Sequence, residues 1–281
     1  MRLPATNERS SGMEEWKPGT RVLIFTAHAD DCEFFCGGFA AKLARAGAEI
    51  TEVIATDNGR GSFELPETAL VAASRDVEAR EAARIIGKKD VHFLGYPDGF
   101  LDDTPKTELR RTFMRYVRRI RPDIVLSFDP FAPFETHPDH RHVAWAAVEA
   151  VGFAQLPLYH PEQVEEGLAP HLTPLRYWFA KNAAVANHVE DISETVDVKI
   201  ASICAHASQI RMMIEEHRRS IMATGRHQEL LDFFDVGNGR PVVEQLILAW
   251  ARTVGAPKGV TYGEAFRLER ATDLLEMLTA K

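Results

Sequence analysis

Short apolar runs alternate with amphipathic segments along the first half of the chain. The apolar runs, rich in valine, isoleucine and leucine, predict strands at 21–27, 49–56, 91–94 and 123–128. Between them, apolar side chains recur at helical spacing and predict helices at 33–46, 72–86, 107–120 and 141–151. Strands and helices that alternate in this order predict an α/β fold, with a Rossmann-like, mainly parallel twisted sheet flanked by helices.

The second half of the chain has a less regular pattern. It predicts a strand at 175–180, helices at 196–218, 228–234 and 243–254, an amphipathic tail at 268–278, and loops at 157–174 and 237–241. We expect one domain over residues 20–281, in which an α-rich C-terminal part (156–281) closes the site of a Rossmann-like core (20–155). Residues 1–19 are polar, without an apolar signal core, and are expected to form a flexible N-terminal segment.

Composition narrows the classes of function. The 281 residues are 45% hydrophobic and 26% charged, with a formal net charge of −8. These values are typical of a globular protein and give no basic face for nucleic acid. No window approaches the roughly 20 apolar residues of a membrane span. Three cysteines are too few for a disulfide framework, so we expect reduced thiols, a cytoplasmic location, and small buried side chains at Cys32 and Cys36.

Two clusters of histidine and aspartate follow predicted strands. Residues 27–31 have the sequence Ala-His-Ala-Asp-Asp, and residues 137–140 have the sequence His-Pro-Asp-His. Because the carboxyl ends of parallel strands form the ligand-binding edge of a sheet, both clusters can meet around one metal ion. Imidazole and carboxylate are zinc ligands, and a catalytic zinc keeps one position for water. We predict that His28, Asp31 and His140 hold the metal of a hydrolase.

The other side chains of the two clusters suit acid–base chemistry. Asp30 is predicted to be the general base that takes a proton from the metal-bound water. The alternative is that it hydrogen-bonds a ligand histidine. His137 is predicted to stabilise the oxyanion or to protonate the leaving amine, with Asp139 holding its ring charged and oriented. The alternative for His137 is that it caps the helix that follows.

These clusters resemble those of the LmbE-like (PIG-L) family of zinc-dependent N-acetylglucosaminyl deacetylases. The resemblance rests mainly on residues 27–33 with Gly37 and Gly38, together with residues 137–140. Weaker similarity extends over most of residues 20–270, at 75–78, 97–99, 121–123, 191–193, 206–209 and 263–266. The family usually has proline where this chain has Ala29. Proline stiffens a turn, so we expect altered rigidity here rather than loss of the metal.

The resemblance implies the same roles that the residues themselves suggest. His28, Asp31 and His140 would be the zinc ligands, Asp30 the base and His137 the electrostatic partner. It adds Arg75 and Asp98 as side chains that hold the sugar, and His206 as a residue that lines the pocket or reaches a neighbouring subunit's site. The alternative for Arg75 is a surface ion pair, and that for Asp98 is a structural role in a turn. The alternative for His206 is a histidine buried in a helix. Related bacterial proteins often assemble, so the resemblance also allows a homo-oligomer.

The sequence therefore predicts an enzyme that removes the acetyl group from an N-acetylated amino sugar by attack of a zinc-bound water. The expected substrate is a GlcNAc-type glycoside or a small oligosaccharide, and iron or cobalt suits the same ligands. One alternative is an amidase that acts on a thiol-sugar conjugate or another N-acyl amide. A second is a nucleotide-binding module, although His-Ala-Asp-Asp replaces its Gly-x-Gly-x-x-Gly turn. A third, a metal-binding scaffold without catalysis, gives Asp30 no role.

Overall fold

Seven strands form one sheet in the computed structural model, which describes residues 16–181 and 185–279, without the side chains at 75, 76, 236 and 279. The strands are β1 (Arg21–Thr26), β2 (Glu49–Thr56), β3 (Asp90–Tyr96), β4 (Ile124–Phe128), β5 (Leu175–Phe179), β6 (His188–Asp191) and β7 (Gly263–Arg270). Their order across the sheet is β3-β2-β1-β4-β5-β7-β6. Strands β1 to β5 run parallel, and β7 is antiparallel to both of its neighbours. The predicted α/β class with a mainly parallel sheet is confirmed.

Helices connect the strands and flank the sheet. They are α1 (Asp31–Arg45), α2 (Glu67–Ala72), α3 (Ala79–Ile86), α4 (Lys106–Ile120), α5 (Pro138–Phe153), α6 (Pro161–Glu165), α7 (Val196–Cys204), α8 (Ala207–Thr224), α9 (Gly239–Gly255) and α10 (Asp273–Thr279). A π-helical stretch at Ala73–Glu78 joins α2 to α3. Within the described ranges, no helix is both long enough and apolar enough to cross a membrane.

Strand β1 lies between β2 and β4, and its position determines where a ligand can bind. Val22 pairs with Ile50 of β2 on one side and with Ile124 of β4 on the other. All three side chains are fully buried, because layers of helices cover both faces of a parallel sheet. The strand order reverses between β1 and β4, and such a reversal opens a crevice at the carboxyl ends of the two strands.

The C-terminal part of the chain is joined to the core through α1. A Cβ atom at Gly38 would lie only 2.8 Å from the side chain of Ile192, so glycine permits this close approach. Helix α1 departs from helical geometry at Cys36 (φ −144°). The carboxylate of Glu264 in β7 accepts the N–H groups of Gly38 at 2.9 Å and Phe39 at 2.8 Å, and it binds Lys199 Nζ of α7 at 2.6 Å. These contacts support our proposal that residues 20–281 form one domain.

The structure differs from the predicted elements mainly in this C-terminal part. Strands β6 and β7 were not predicted, because β6 has only four residues and four of the eight residues of β7 are charged, so neither contains a long apolar run. The predicted tail at 268–278 is divided between β7 and α10. The helix predicted at 196–218 is two helices, since His206 between them has non-helical backbone angles (φ −85°, ψ 64°).

Smaller differences concern the predicted loops and the N-terminal segment. Helix α6 lies inside the predicted loop 157–174, where Pro161 suits a first helical turn. Helix α9 begins at Gly239, inside the loop predicted at 237–241, and the helix predicted at 228–234 is a 3₁₀ turn at Gln228–Leu230. Residues 1–15 of the N-terminal segment lie outside the described residues, and Trp16 packs on Phe39 with ring centroids 5.9 Å apart.

Candidate functional site

The turn between β1 and α1 folds Asp31 back onto its own backbone. Asp31 Oδ2 accepts the N–H groups of Ala27 at 3.0 Å and His28 at 2.7 Å. Its other oxygen, Oδ1, lies 3.3 Å from Nε2 of His140, which comes from the first turn of α5. Local hydrogen bonds therefore orient the first cluster toward the second at the carboxyl edge of the sheet.

Three side chains from the two clusters form a triangle of ligand atoms. His28 Nδ1 and His140 Nε2 are 3.3 Å apart, and Asp31 oxygens lie 3.5 Å from His28 Nδ1 and 3.3 Å from His140 Nε2. A tetrahedral zinc ion at about 2.0–2.1 Å from its ligands separates them from one another by about 3.3–3.4 Å. The structure thus brings the three predicted ligands together with spacings that fit zinc. Three protein ligands would leave the fourth position of a tetrahedral catalytic site for water.

His137 lies beside this triangle and caps α5. Its Nδ1 accepts the N–H of Asp139 at 3.3 Å, and its ring stacks on His140 with centroids 4.5 Å apart. Ligand atoms of His28, His137 and His140 also lie within 4.8 Å of one another. We favour Asp31 as the third ligand, because Nδ1 of His137 is already an acceptor. Burial and the two neighbouring imidazoles lower the pKa of His137, so its neutral ring carries the proton on Nε2.

The carboxylate of Asp139 contacts His28, and not the His137 ring that it was predicted to hold. Asp139 Oδ2 lies 3.2 Å from His28 Nε2. The same carboxylate is fully buried and accepts the N–H groups of Gly99 at 2.7 Å and Leu101 at 3.1 Å. These bonds engage both oxygens and direct the carboxylate to His28 and away from the ring of His137. They fix the ring of His28 with Nδ1 directed to the other two ligands.

The structure places Asp98 beside the same ring nitrogen. Asp98 Oδ1 lies 3.2 Å from His28 Nε2, and Oδ2 accepts the N–H of Arg60 at 2.9 Å. Burial raises the pKa of Asp98, but His28 more than offsets this effect, so the pKa lies below its usual range. Both oxygens are engaged within the protein, and the predicted contact of Asp98 with the sugar stays a prediction.

Glu135 supports the other ligand histidine and was missed by the sequence analysis. Its Oε2 lies 3.1 Å from His140 Nδ1 and pairs with Lys181, while Oε1 accepts the N–H of His137 at 3.0 Å. Burial raises the pKa of Glu135, but hydrogen bonds from His140 and Lys181 lower it to about 2. Phe128, at the end of β4, stacks on the His140 ring with centroids 4.2 Å apart. An acidic residue two positions before His137 was the signal that could have revealed this role.

Asp30 lies at the N-cap position, just before α1 and next to the ligand Asp31, but its carboxylate makes no cap hydrogen bond to the helix. Burial, followed by the charge of Asp31, raises the pKa of Asp30. The pKa of Asp31 moves the other way: burial raises it, but His140 and His28 lower it well below its usual range. Two adjacent carboxylates with opposite shifts suit a proton acceptor and a metal ligand, respectively.

Two residues that the resemblance assigned to the substrate have other surroundings. Arg75 lies in the π-helical stretch, and its side chain is outside the described residues, so its sugar contact stays a prediction. His206 is fully buried where α7 meets α8, with Nε2 3.6 Å from Glu33 Oε2. His206 is therefore a buried histidine in this structure, and its predicted place lining the pocket or reaching a neighbouring subunit's site stays a prediction.

Ala29, where the family usually has proline, uses the N–H group that proline lacks. The N–H of Ala29 donates to Asn58 Oδ1 at 2.7 Å, and both residues are buried. Asn58 itself has a left-handed backbone (φ 62°), a conformation that asparagine tolerates better than most residues. A hydrogen bond from the end of β2 therefore restrains the turn between the metal ligands.

Replacing Asn58 with alanine is expected to lower the free energy of unfolding by about 2–4 kcal/mol. The loss combines an unpaired buried N–H at Ala29 with a left-handed backbone at an alanine. Urea denaturation measures the change. Asn58→Asp keeps the acceptor oxygen but loses the amide that donates to the carbonyl oxygen of Thr56 at 3.3 Å, so this comparison variant is expected to recover part of the stability. Equal stability of Asn58→Ala and the wild type would contradict this role.

A family model and several known proteins are similar to this chain. A family model described as GlcNAc-PI de-N-acetylase matches residues 23–151, which include both clusters. The chain is similar to the diacetylchitobiose deacetylase of Thermococcus kodakarensis, at 34% identity over 67% of this chain and 70% of that protein. It is also similar to the 1D-myo-inositol 2-acetamido-2-deoxy-alpha-D-glucopyranoside deacetylase of Geodermatophilus obscurus, at 30% identity over 52% of this chain and 57% of that protein.

A solved structure extends the similarity to nearly the whole chain. The N,N'-diacetylchitobiose deacetylase from Pyrococcus horikoshii, complexed with its inhibitor MPG, has a TM-score of 0.74 at 29% identity. The match covers 92% of this chain and 86% of that one. The chain therefore belongs to the PIG-L (LmbE-like) deacetylase family.

Proposed function

We propose that the protein is a metal-dependent deacetylase that hydrolyses the acetamide of a GlcNAc-type amino sugar. The triangle of His28, Asp31 and His140 beside Asp30 carries the proposal, since it combines a catalytic metal set with a carboxylate base. The relatives support the substrate class, because they are named as deacetylases of acetylated amino-sugar compounds.

We propose zinc for this centre, although iron or cobalt suits the same ligands. When bound, the metal supplies Lewis acidity, which polarises the acetyl carbonyl and lowers the pKa of water to about 7. The protein orients the two ligand rings through their other nitrogens. Asp98 and Asp139 hold Nε2 of His28, and Glu135 holds Nδ1 of His140.

Asp30 and His137 provide the proton transfers. Asp30 accepts a proton from the water that attacks the acetyl carbon, and it delivers that proton to the amine as the C–N bond breaks. Its raised pKa suits both steps. His137 donates its Nε2 proton in a hydrogen bond to the acetyl oxygen as negative charge develops there. The products are acetate and the free amino sugar.

We propose a GlcNAc glycoside or a small oligosaccharide as substrate. An amidase acting on a thiol-sugar conjugate, the alternative left open by the sequence, is not favoured by the relatives. The cytoplasmic location and the homo-oligomer stay predictions.

Treatment with a chelator is expected to abolish acetate release from GlcNAc, N,N'-diacetylchitobiose and a GlcNAc glycoside, and added zinc to restore it. Adding iron or cobalt to the same apoprotein ranks the metals. His140→Ala should lose bound zinc and activity, because it removes one corner of the triangle. His217→Ala, an exposed histidine in α8, is the matched control and should keep both. Zinc-loaded protein that releases no acetate from any of the sugars would contradict the proposed function.

A further inference from the structure

A half-exposed phenylalanine lies on the loop that clamps Asp139. The side chain of Phe100 is 48% exposed, whereas that of Leu101 is fully buried. The N–H groups on either side of Phe100, those of Gly99 and Leu101, both donate to Asp139. Because Asp139 contacts His28 Nε2 at 3.2 Å, the backbone that carries Phe100 is fixed relative to the metal ligands.

The conformation of this loop presents Phe100 outward. Gly99 has a left-handed backbone (φ 80°), which glycine adopts without strain. The N–H of Phe100 donates to the carbonyl oxygen of Pro97 at 3.3 Å, and its own carbonyl accepts the N–H of Asp103 at 3.1 Å. The hydrogen-bonded turn therefore keeps the apolar side chain of Phe100 partly exposed to solvent, close to the polar groups around His28.

Arg60 lies beside Phe100 and is connected through Asp98 to Nε2 of His28, the ring nitrogen that Asp139 also contacts. Its guanidinium carbon lies 5.7 Å from the centroid of the Phe100 ring. Its backbone N–H donates to Asp98, whose other oxygen lies 3.2 Å from His28 Nε2. Its Nη1 binds Glu67 at 3.0 Å in a half-exposed pair, and its remaining N–H groups can serve a ligand.

We propose, building on the proposed function, that Phe100 and Arg60 bind a pyranose ring of the substrate beyond the ring that loses its acetyl group. The acetamide must lie at the His28, Asp31 and His140 triangle, and Asp139 joins the loop of Phe100 to Nε2 of His28, the ring nitrogen that is not part of the triangle. The C–H face of a pyranose packs on an aromatic ring and removes apolar surface from water. Its hydroxyl groups accept hydrogen bonds from guanidinium. The pair therefore favours disaccharides over a lone monosaccharide.

Kinetics with N,N'-diacetylchitobiose and GlcNAc test this pair. Phe100→Ala is expected to raise KM for the disaccharide about tenfold with little change in kcat, and to leave both constants for GlcNAc unchanged. Phe100→Tyr keeps the aromatic face and should restore the disaccharide KM. The matched control is Phe131→Ala, because Phe131 is also exposed and beside an arginine, but packs on Trp145 with centroids 5.3 Å apart. It should behave like the wild type.

Calorimetric titration with chitobiose, the deacetylated disaccharide, separates this inference from the proposed function. Binding that is about tenfold weaker in Phe100→Ala than in the wild type supports the pyranose site even if no substrate is turned over. An active wild type whose disaccharide KM is unchanged in Phe100→Ala would overturn the inference. So would equal losses for GlcNAc and the disaccharide, since they would place Phe100 at the reacting sugar.

Discussion

Replacement of Asp30 with asparagine is expected to lower kcat by about 10²–10⁴-fold while the zinc content stays unchanged. Asparagine has the shape of aspartate but cannot accept the proton of the attacking water. The carboxylate of Asp30 does not cap α1, so the helix should persist, and the three ligand side chains are intact. Steady-state acetate release and metal analysis of the purified variant provide the two measurements.

The neighbouring residue provides the matched control for Asp30. Asp31→Asn makes the same chemical change one position along the chain, but in a side chain whose oxygens lie 3.3–3.5 Å from the two ligand imidazoles. This variant should lose zinc, and activity with it. Full turnover in Asp30→Asn would eliminate the general-base role. Loss of zinc from Asp30→Asn would instead make Asp30 part of the metal centre.

The parallel part of the fold could be predicted because its strands are buried on both faces. Residues 22–26 of β1 are fully buried, and such strands appear in the sequence as unbroken apolar runs. Strand β7 could not be predicted in this way. It includes Glu264, Arg267 and Glu269, and its pairing with β5 and β6 joins residues about 70–95 positions apart. Long-range pairing, and not local pattern, determines that edge of the sheet.

The metal ligands were predictable because they lie in two short clusters at strand ends, where a parallel sheet places ligands. The side chains that hydrogen-bond these ligands were harder to assign, because their partners depend on the direction in which each side chain points in the folded chain. Asp139 was expected to orient His137, yet two backbone N–H groups hold it against His28. Glu135 and Lys181 come from different loops, and only the folded chain brings them to His140.

A buried ionic network beneath α1 also escaped the sequence analysis. Lys88 Nζ lies 2.6 Å from Glu33 Oε1 and 2.6 Å from Glu52 Oε2, and all three side chains are at most 1% exposed. Glu52 also accepts the hydroxyl of Thr26 at 2.9 Å. The members come from β1, α1, β2 and the residue after the glycine that ends α3, so no local pattern links them. Since Glu33 lies two positions after Asp31, the network supports the helix that holds a metal ligand.

Replacement of Lys88 with methionine is expected to lower the free energy of unfolding by about 3–5 kcal/mol at neutral pH. Methionine preserves the length of the side chain but leaves Glu33 and Glu52 buried without their shared cation. Urea denaturation measures the loss. Lys89→Met is the matched control: Lys89 pairs with Glu49 in solvent, and its removal should change stability little. At pH 9, adding Glu52→Gln to Lys88→Met should recover part of the loss, because it removes a buried carboxylate that has lost its cation.

The difference in free energy of unfolding between Lys88→Met and the wild type should grow as the pH rises above about 7. In the wild type, burial raises the pKa of Glu52 to about 7, with Lys88 opposing the shift and Glu33 adding to it. A carboxyl whose pKa is raised by folding contributes stability at low pH, and that stability is lost as the pH rises to the folded pKa. Without Lys88, the pKa of Glu52 in the folded variant rises further. The variant therefore continues to lose stability above about pH 7, where the wild type no longer does. A deficit that is constant from pH 6 to pH 9 would show that Lys88 acts by packing and not by charge.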